Sequence, residues 1–179
     1  MIKKWSVVKS EMLNSLKVFS TRKDWSVSPV TGLEHNFYVL EVPDWVNVVA
    51  ITPEKEIVLI RQYRHGTRSV TLEIPGGMVD GGEEPLEAAR RELFEETGYA
   101  SSAWRQIGKV HPNPAIQNNA CYTFLAVDAQ KAGGQRLDGT EDIEILTIPA
   151  GEMTELVKSG EITHSLVAVA FYWFYLDGG

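Results

Sequence analysis

Cysteine is nearly absent. Cys121 is the one thiol in 179 residues, so no intrachain disulfide can form and the fold does not depend on an oxidising compartment. Cations are in the minority, with 17 Lys and Arg against 24 Asp and Glu and a net charge of −7. Such a balance excludes a broad surface for polyanions, because nucleic-acid affinity rests on Lys and Arg neutralising many phosphates. No nucleic-acid partner is expected, and a phosphate-bearing ligand would need a metal or a local basic patch. Long apolar runs are lacking as well. The most apolar stretch, Leu166 to Leu176, falls short of the roughly 20 residues a membrane helix requires and reads as a buried terminal helix. Behind the lysines of MIKKWSVVKSEML there is no sustained apolar segment, which speaks against a secretory signal and for the cytoplasm. Repeats and low-complexity tracts are missing too.

What is present suits one catalytic domain with a sizeable core, since 44% of the residues are hydrophobic. β-Branched and aromatic residues between turn signals predict strands over 17–27, 37–42, 45–51, 57–63 and 69–74. A glycine-rich loop over 76–82 follows, then a helix with Pro85 in its first turn and Gly98 as its stop. Further strands are predicted over 104–110, 122–128 and 143–148, a loop over 132–140, and two closing helices over 150–159 and 163–176. This mixture implies an α+β or α/β sandwich with mixed strand directions.

The informative stretch is LEIPGGMVDGGEEPLEAARRELFEETGYA, residues 72–100. At 100° per residue, Glu92, Glu95 and Glu96 share one helix face and would repel one another. Glu95 and Glu96 also stand in the last turn, where the helix dipole disfavours acids. A divalent cation reverses both effects, and hard oxygen ligands point to Mg²⁺ or Mn²⁺. Leu86, Ala89 and Leu93 form a stripe for packing on the sheet, while Ala88, on the acidic side, is expected to leave room for a ligand. A solvated acidic face is the plainer account of a charge run. It explains neither the glycine loop, nor Glu83 ahead of the helix, nor Arg91 beside the carboxylates.

The order Gly77, Glu83, Arg91-Glu92-Leu93, Glu95-Glu96, Gly98-Tyr99 resembles the Nudix box at every defined position. The resemblance implies a Nudix fold, an α/β/α sandwich with a mixed sheet. It also implies a metal-assisted attack of water on a diphosphate, with Glu92 and Glu96 as principal ligands, Glu95 close by and the Gly76 carbonyl completing the site. Glu83 and Arg91 would orient that cluster. Flanking it, Arg61-Gln62-Tyr63-Arg64 and Leu72-Glu73-Ile74-Pro75-Gly76-Gly77, with Pro114 sixteen residues after Gly98, resemble the ADP-ribose and nucleotide-sugar pyrophosphatases. The resemblance makes Arg61 and Arg64 expected diphosphate contacts, Glu73 a ribose contact, Pro114 part of the substrate site and Glu141 the catalytic base, with Glu144 in reserve. Pro114 is followed by Ala-Ile-Gln-Asn-Asn rather than Gly and an acid, which favours a broader nucleoside-diphosphate-sugar hydrolase over one confined to ADP-ribose.

His65 and His111 read as structural. Trp5, Trp25, Phe37 and Trp45 crowd the first third, where stacking on a base competes with core or dimer packing. By resemblance, residues 1–43 form an antiparallel β extension that pairs across a twofold axis in a homodimer, and residues 44–179 form the catalytic domain. Two rivals remain: hydrolysis of NADH or dinucleoside polyphosphates, and a Nudix fold that senses a nucleotide sugar without cleaving it.

Overall fold

The computed structural model describes residues 1–178, and its chain divides into two compact units, each built around its own sheet pairing. The first takes in residues 1–43 together with His111–Ala120. Its strands β1 (Ser6–Ser15), β2 (Ser20–Val27) and β3 (Glu34–Glu41) form an antiparallel sheet in sequence order. The segment His111–Ala120 seals the end of β3: the Leu40 N–H donates to the Ile116 carbonyl at 2.7 Å, and the Val42 N–H donates to Asn118 Oδ1 at 3.0 Å. β1 is exposed throughout, with Val7, Val8, Met12 and Leu13 facing outward. β1 was not expected from the sequence, because Lys9, Ser10 and Glu11 interrupt the apolar alternation that marks a half-buried strand. Trp5 packs edge-on against Phe37, with centroids 5.2 Å apart, and the Trp25 ring lies beneath the ammonium groups of Lys9 and Lys23 at 4.3 and 4.2 Å.

The second unit holds Asp44–Val110 and Cys121–Gly178 as far as it is described. A four-stranded sheet runs β7 (Gly76–Met78), β4 (Trp45–Ala50), β10 (Cys121–Val127), β9 (Ala103–Val110), and a three-stranded one β12 (Ile143–Pro149), β5 (Glu56–Arg64), β6 (Ser69–Glu73). β10 is parallel to β4 and the other pairs are antiparallel, so the sheet is mixed as expected. β8 (Tyr99–Ala100) and β11 (Gln130–Lys131) make a small separate pair. Three helices complete the unit: α1 (Pro85–Thr97), α2 (Met153–Ser159) after a 3-10 turn, and α3 (Ser165–Leu176).

Strand alternation sorts the core into two layers of contact. Val48, Ala50, Val58, Phe124 and Ala126 pack on Ala88, Ala89 and Leu93 of α1. Val49, Ile57, Leu59 and Leu125 pack on Met153 and on Val167, Ala170, Phe171 and Phe174 of α3. Helices on both faces of the strands give the α/β/α arrangement. No described helix is long and apolar enough to cross a membrane.

Candidate functional site

α1 begins where Pro85 supplies a fixed φ at N1 and needs no N–H partner. It ends at Gly98, whose φ of 67° is left-handed and whose N–H donates to the Phe94 carbonyl at 2.7 Å. The buried residues of α1 are Ala88, Ala89, Leu93, Glu96 and Thr97. This corrects the expectation for Ala88, which is wholly enclosed in the apolar core and leaves no room for a ligand. Of the three acids only Glu96 continues the buried face, while Glu92 is half-buried and Glu95 is the most open. Glu96 is 4% exposed and its Oε2 accepts the Gly76 N–H at 2.9 Å.

Arg91 ties the other acids together. Its guanidinium donates to both oxygens of Glu83 at 3.1 and 2.9 Å, to Glu92 at 2.8 Å, to Glu95 at 3.3 Å and to the Met78 carbonyl at 3.0 Å. The Arg91 hydrogen bond holds Glu83 below the usual carboxylate range against a small opposing effect of burial. The Glu92 carboxylate lies against Gly77, so a Cβ at that position would displace the end of the Glu92 side chain. Gly76 is confined more strictly, because a Cβ there would run into the backbone Val46 carbonyl of the neighbouring strand. Both glycines sit on β7, within the stretch expected to be loop, because the close approach of β4 favours residues without side chains.

Burial and charge divide the acids into two kinds. Burial raises Glu92, with Arg91 opposing and the charges of Glu95 and Glu141 adding to the rise. Burial likewise pushes Glu96 up to about 8, against the Gly76 N–H and helped by the charges of Glu92 and Glu141. Glu73 is as deeply buried, at 3% exposure, yet sits below its ordinary value. Desolvation is outweighed there by the hydrogen bonds from Arg64 and Thr71. Both Arg64–Glu73 contacts are 2.7 Å, a paired fork.

Arg64 also lies close enough to Glu96 and Glu141 for their charges to raise it. Arg61 lies on the other face of β5: three residues apart on one strand, the two side chains point oppositely. Arg61 instead reaches across to Glu144, its register partner on β12, at 3.3 Å. Glu141 sits at the exposed end of a turn, its Oε2 accepting the Asp138 N–H at 3.0 Å. Pro114 belongs to the first unit, in the turn where the Ile116 and Gln117 N–H groups donate to the Asn113 carbonyl at 3.1 and 2.8 Å. His111 Nδ1 lies 3.1 Å from the Asn119 carbonyl in the same unit.

Residues 43–163 match the NUDIX domain. The chain belongs to the Nudix family. It is 31% identical to an ADP-ribose pyrophosphatase from Bacillus subtilis over 77% of this chain and 75% of that one. It is 27% identical to a GDP-mannose pyrophosphatase from an Enterobacter species, over 93% of this chain and 89% of the relative. A crystal structure of an ADP compounds hydrolase superposes with a TM-score of 0.87 over 99% of this chain and 97% of that one, at 22% identity, a likeness of fold.

The donor set of the Nudix helix fits a hard divalent cation. Glu92 and Glu96 are the two acids that burial and neighbouring carboxylates push toward the protonated form, and a bound cation would hold both ionised. Among the described residues, no three His, Cys, Asp or Glu side chains converge as a finished cage. Arg91 occupies oxygens of Glu92 and Glu95, and Gly76 occupies one of Glu96, which accounts for that.

The sequence missed the device that closes the Nudix helix. The last carbonyls of α1 have no partners within it, and a strap from residues 131–136 supplies them. Lys131 Nζ donates to the Thr97 carbonyl at 2.5 Å, Gln135 Nε2 to that of Glu96 at 2.8 Å, and the Arg136 N–H to that of Glu95 at 2.8 Å. These partners are more than thirty residues away in sequence, so no local signal marks them.

Proposed function

We propose that this Nudix chain hydrolyses the diphosphate bond of nucleoside-diphosphate sugars, ADP-ribose among them, to a nucleoside monophosphate and a sugar phosphate. The observation that carries the reading is the pair of half-buried Glu92 and buried Glu96, raised by desolvation and set against the Gly76-Gly77 strand. The relatives that act on ADP-ribose and GDP-mannose supply the substrate class.

In this reading Glu92 and Glu96 hold Mg²⁺ or Mn²⁺ together with Glu95 and the Gly76 carbonyl. When bound, the cation supplies charge neutralisation at the diphosphate and greater acidity to the attacking water. Arg91 orients Glu92 and Glu95 and is itself anchored by Glu83 and the Met78 carbonyl. Arg64, steadied by Glu73, offers its outer edge to a diphosphate oxygen, while Glu73 is committed to Arg64 and Thr71 rather than to a ribose. Glu141 takes the proton of the water that attacks phosphorus, once its carboxylate leaves the Asp138 N–H. The protein works as a cytoplasmic homodimer in which residues 1–43 pair across the twofold axis, a role that suits the outward apolar side chains of β1.

The test is release of monophosphate from ADP-ribose and from UDP-, GDP- and CDP-sugars, with Mg²⁺ and with EDTA. Magnesium-dependent release from at least one nucleotide sugar is expected. No release from any of them by protein that binds the metal would overturn the reading and turn attention to NADH and dinucleoside polyphosphates.

A further inference from the structure

We propose that Gln135 is a positioning residue for the segment that carries Glu141. The inference rests on the assignment of Glu141 as base. A single side-chain amide nitrogen has two hydrogens, and Gln135 uses both. One goes to the Glu96 carbonyl at 2.8 Å, the other to the Ile143 carbonyl at 3.0 Å. The first acceptor stands on the last turn of α1, in the residue whose carboxylate meets Gly76. The second opens β12, two residues after Glu141. Gln135 therefore fastens the far foot of the stretch 136–142 to the helix that bears the metal-binding acids. The near foot is fixed by the Arg136 N–H, which donates to the Glu95 carbonyl at 2.8 Å.

Between those feet the stretch makes local closures. Thr140 donates to Asp138 Oδ1 through its N–H at 2.7 Å and its hydroxyl at 2.6 Å, and the Asp138 N–H holds the Glu141 carboxylate. An arm tied at both ends to the acid-bearing helix, with an exposed tip, confines where Glu141 can travel and keeps its charge within reach of Glu92, Glu96 and Arg64. A simple helix cap would need only the bond to Glu96. The bond to Ile143 brings the catalytic segment into the same joint.

Gln135→Met removes both donors at similar volume, and Gln135→Asn keeps the amide but is too short to span both carbonyls. Each variant is expected to lower kcat on the best nucleotide sugar roughly tenfold or more, the scale of losing orientation of one catalytic group. KM and Mn²⁺ affinity measured by titration should stay unchanged, and amide hydrogen exchange over 136–142 should accelerate. In the Glu141→Gln background the Gln135→Met substitution should cost almost nothing further in kcat, because the two act as one unit. Penalties that multiply, or a full kcat in Gln135→Met beside a depressed one in Glu141→Gln, would overturn the positioning role while leaving the base assignment standing. An undiminished kcat in Glu141→Gln would overturn the base assignment, and the positioning role with it.

Discussion

α1 and α3 are helices of 13 and 12 residues that press on opposite faces of the same strands, yet they are held in place by different means. α3 buries Val167, Ala170, Phe171 and Phe174, and its N-terminus is capped by His164, whose ring nitrogen accepts the Leu166 N–H at 3.2 Å. Burial of side chains that large stabilises by roughly 1.5–3 kcal/mol each. Its one acid at the C-terminal end, Asp177, is matched by Arg105. α1 buries two alanines, one leucine and a threonine, and then a glutamate that burial drives toward protonation. It has no side-chain N-cap and no basic residue in its last turn, and its terminal carbonyls depend on the strap from residues 131–136. The difference teaches where function was placed: α3 contributes stability, whereas α1 carries an electrostatic penalty that its neighbours offset and that a cation would turn into binding.

The sharpest way to break this contrast is to remove the charge from the acid at its centre. Glu96→Gln should reduce kcat on a nucleotide sugar by on the order of a thousandfold or more, about 4 kcal/mol of barrier, while the metal-free protein melts at the same temperature or higher. Steady-state kinetics and thermal melts in EDTA read both halves of that statement. A large loss of stability would mean that Glu96 serves the fold. Next comes the opposite experiment: Phe171→Ala should cost about 3 kcal/mol in unfolding free energy by chemical denaturation. The folded fraction should keep its KM and kcat, and a selective loss of kcat would dissolve the distinction between the helices.

Taken per pH unit, the smallest effect is the dependence on pH. Glu96 in the folded chain titrates near 8, above the ordinary range of the unfolded chain, so between those values the folded state binds the extra proton. Stability of the metal-free protein should therefore fall as pH rises through that window, by at most about 1.4 kcal/mol per pH unit from this group. Mg²⁺ should remove the loss, and Glu96→Gln should lack it. Melts in EDTA from pH 5 to 8.5 check the sign, and equal slopes in wild type and variant would show that Glu96 is not the group concerned.

How much of this was legible in the sequence depends on how local each signal is. The bounds of α1 follow from Pro85 and Gly98, and the Nudix residues follow from spacing alone. Arg91 beside Glu95 was also readable, since the two stand one helical turn apart, whereas its contact with Glu83, ahead of the helix, was not fixed by helical spacing. The burial of Ala88 and Glu96 on one face was not, because helical period tells which residues share a side without telling which side meets the strands. The opposed directions of Arg61 and Arg64 were implicit in strand alternation once β5 was drawn. That Glu73 would serve Arg64 needed the β5–β6 register, in which Arg64 stands beside Ser69 and Gln62 beside Thr71. The strap at Lys131, Gln135 and Arg136 needed the whole fold.

The seam between β3 and His111–Ala120 has a consequence in time. β1, β2 and β3 are joined by short turns and can pair as soon as some forty residues have left the ribosome. The Val42 N–H, however, must wait for Asn118, 76 positions later. Strands that fold first are thus finished only after α1 and its glutamates have been made, and the first unit cannot be completed by the stretch that begins it.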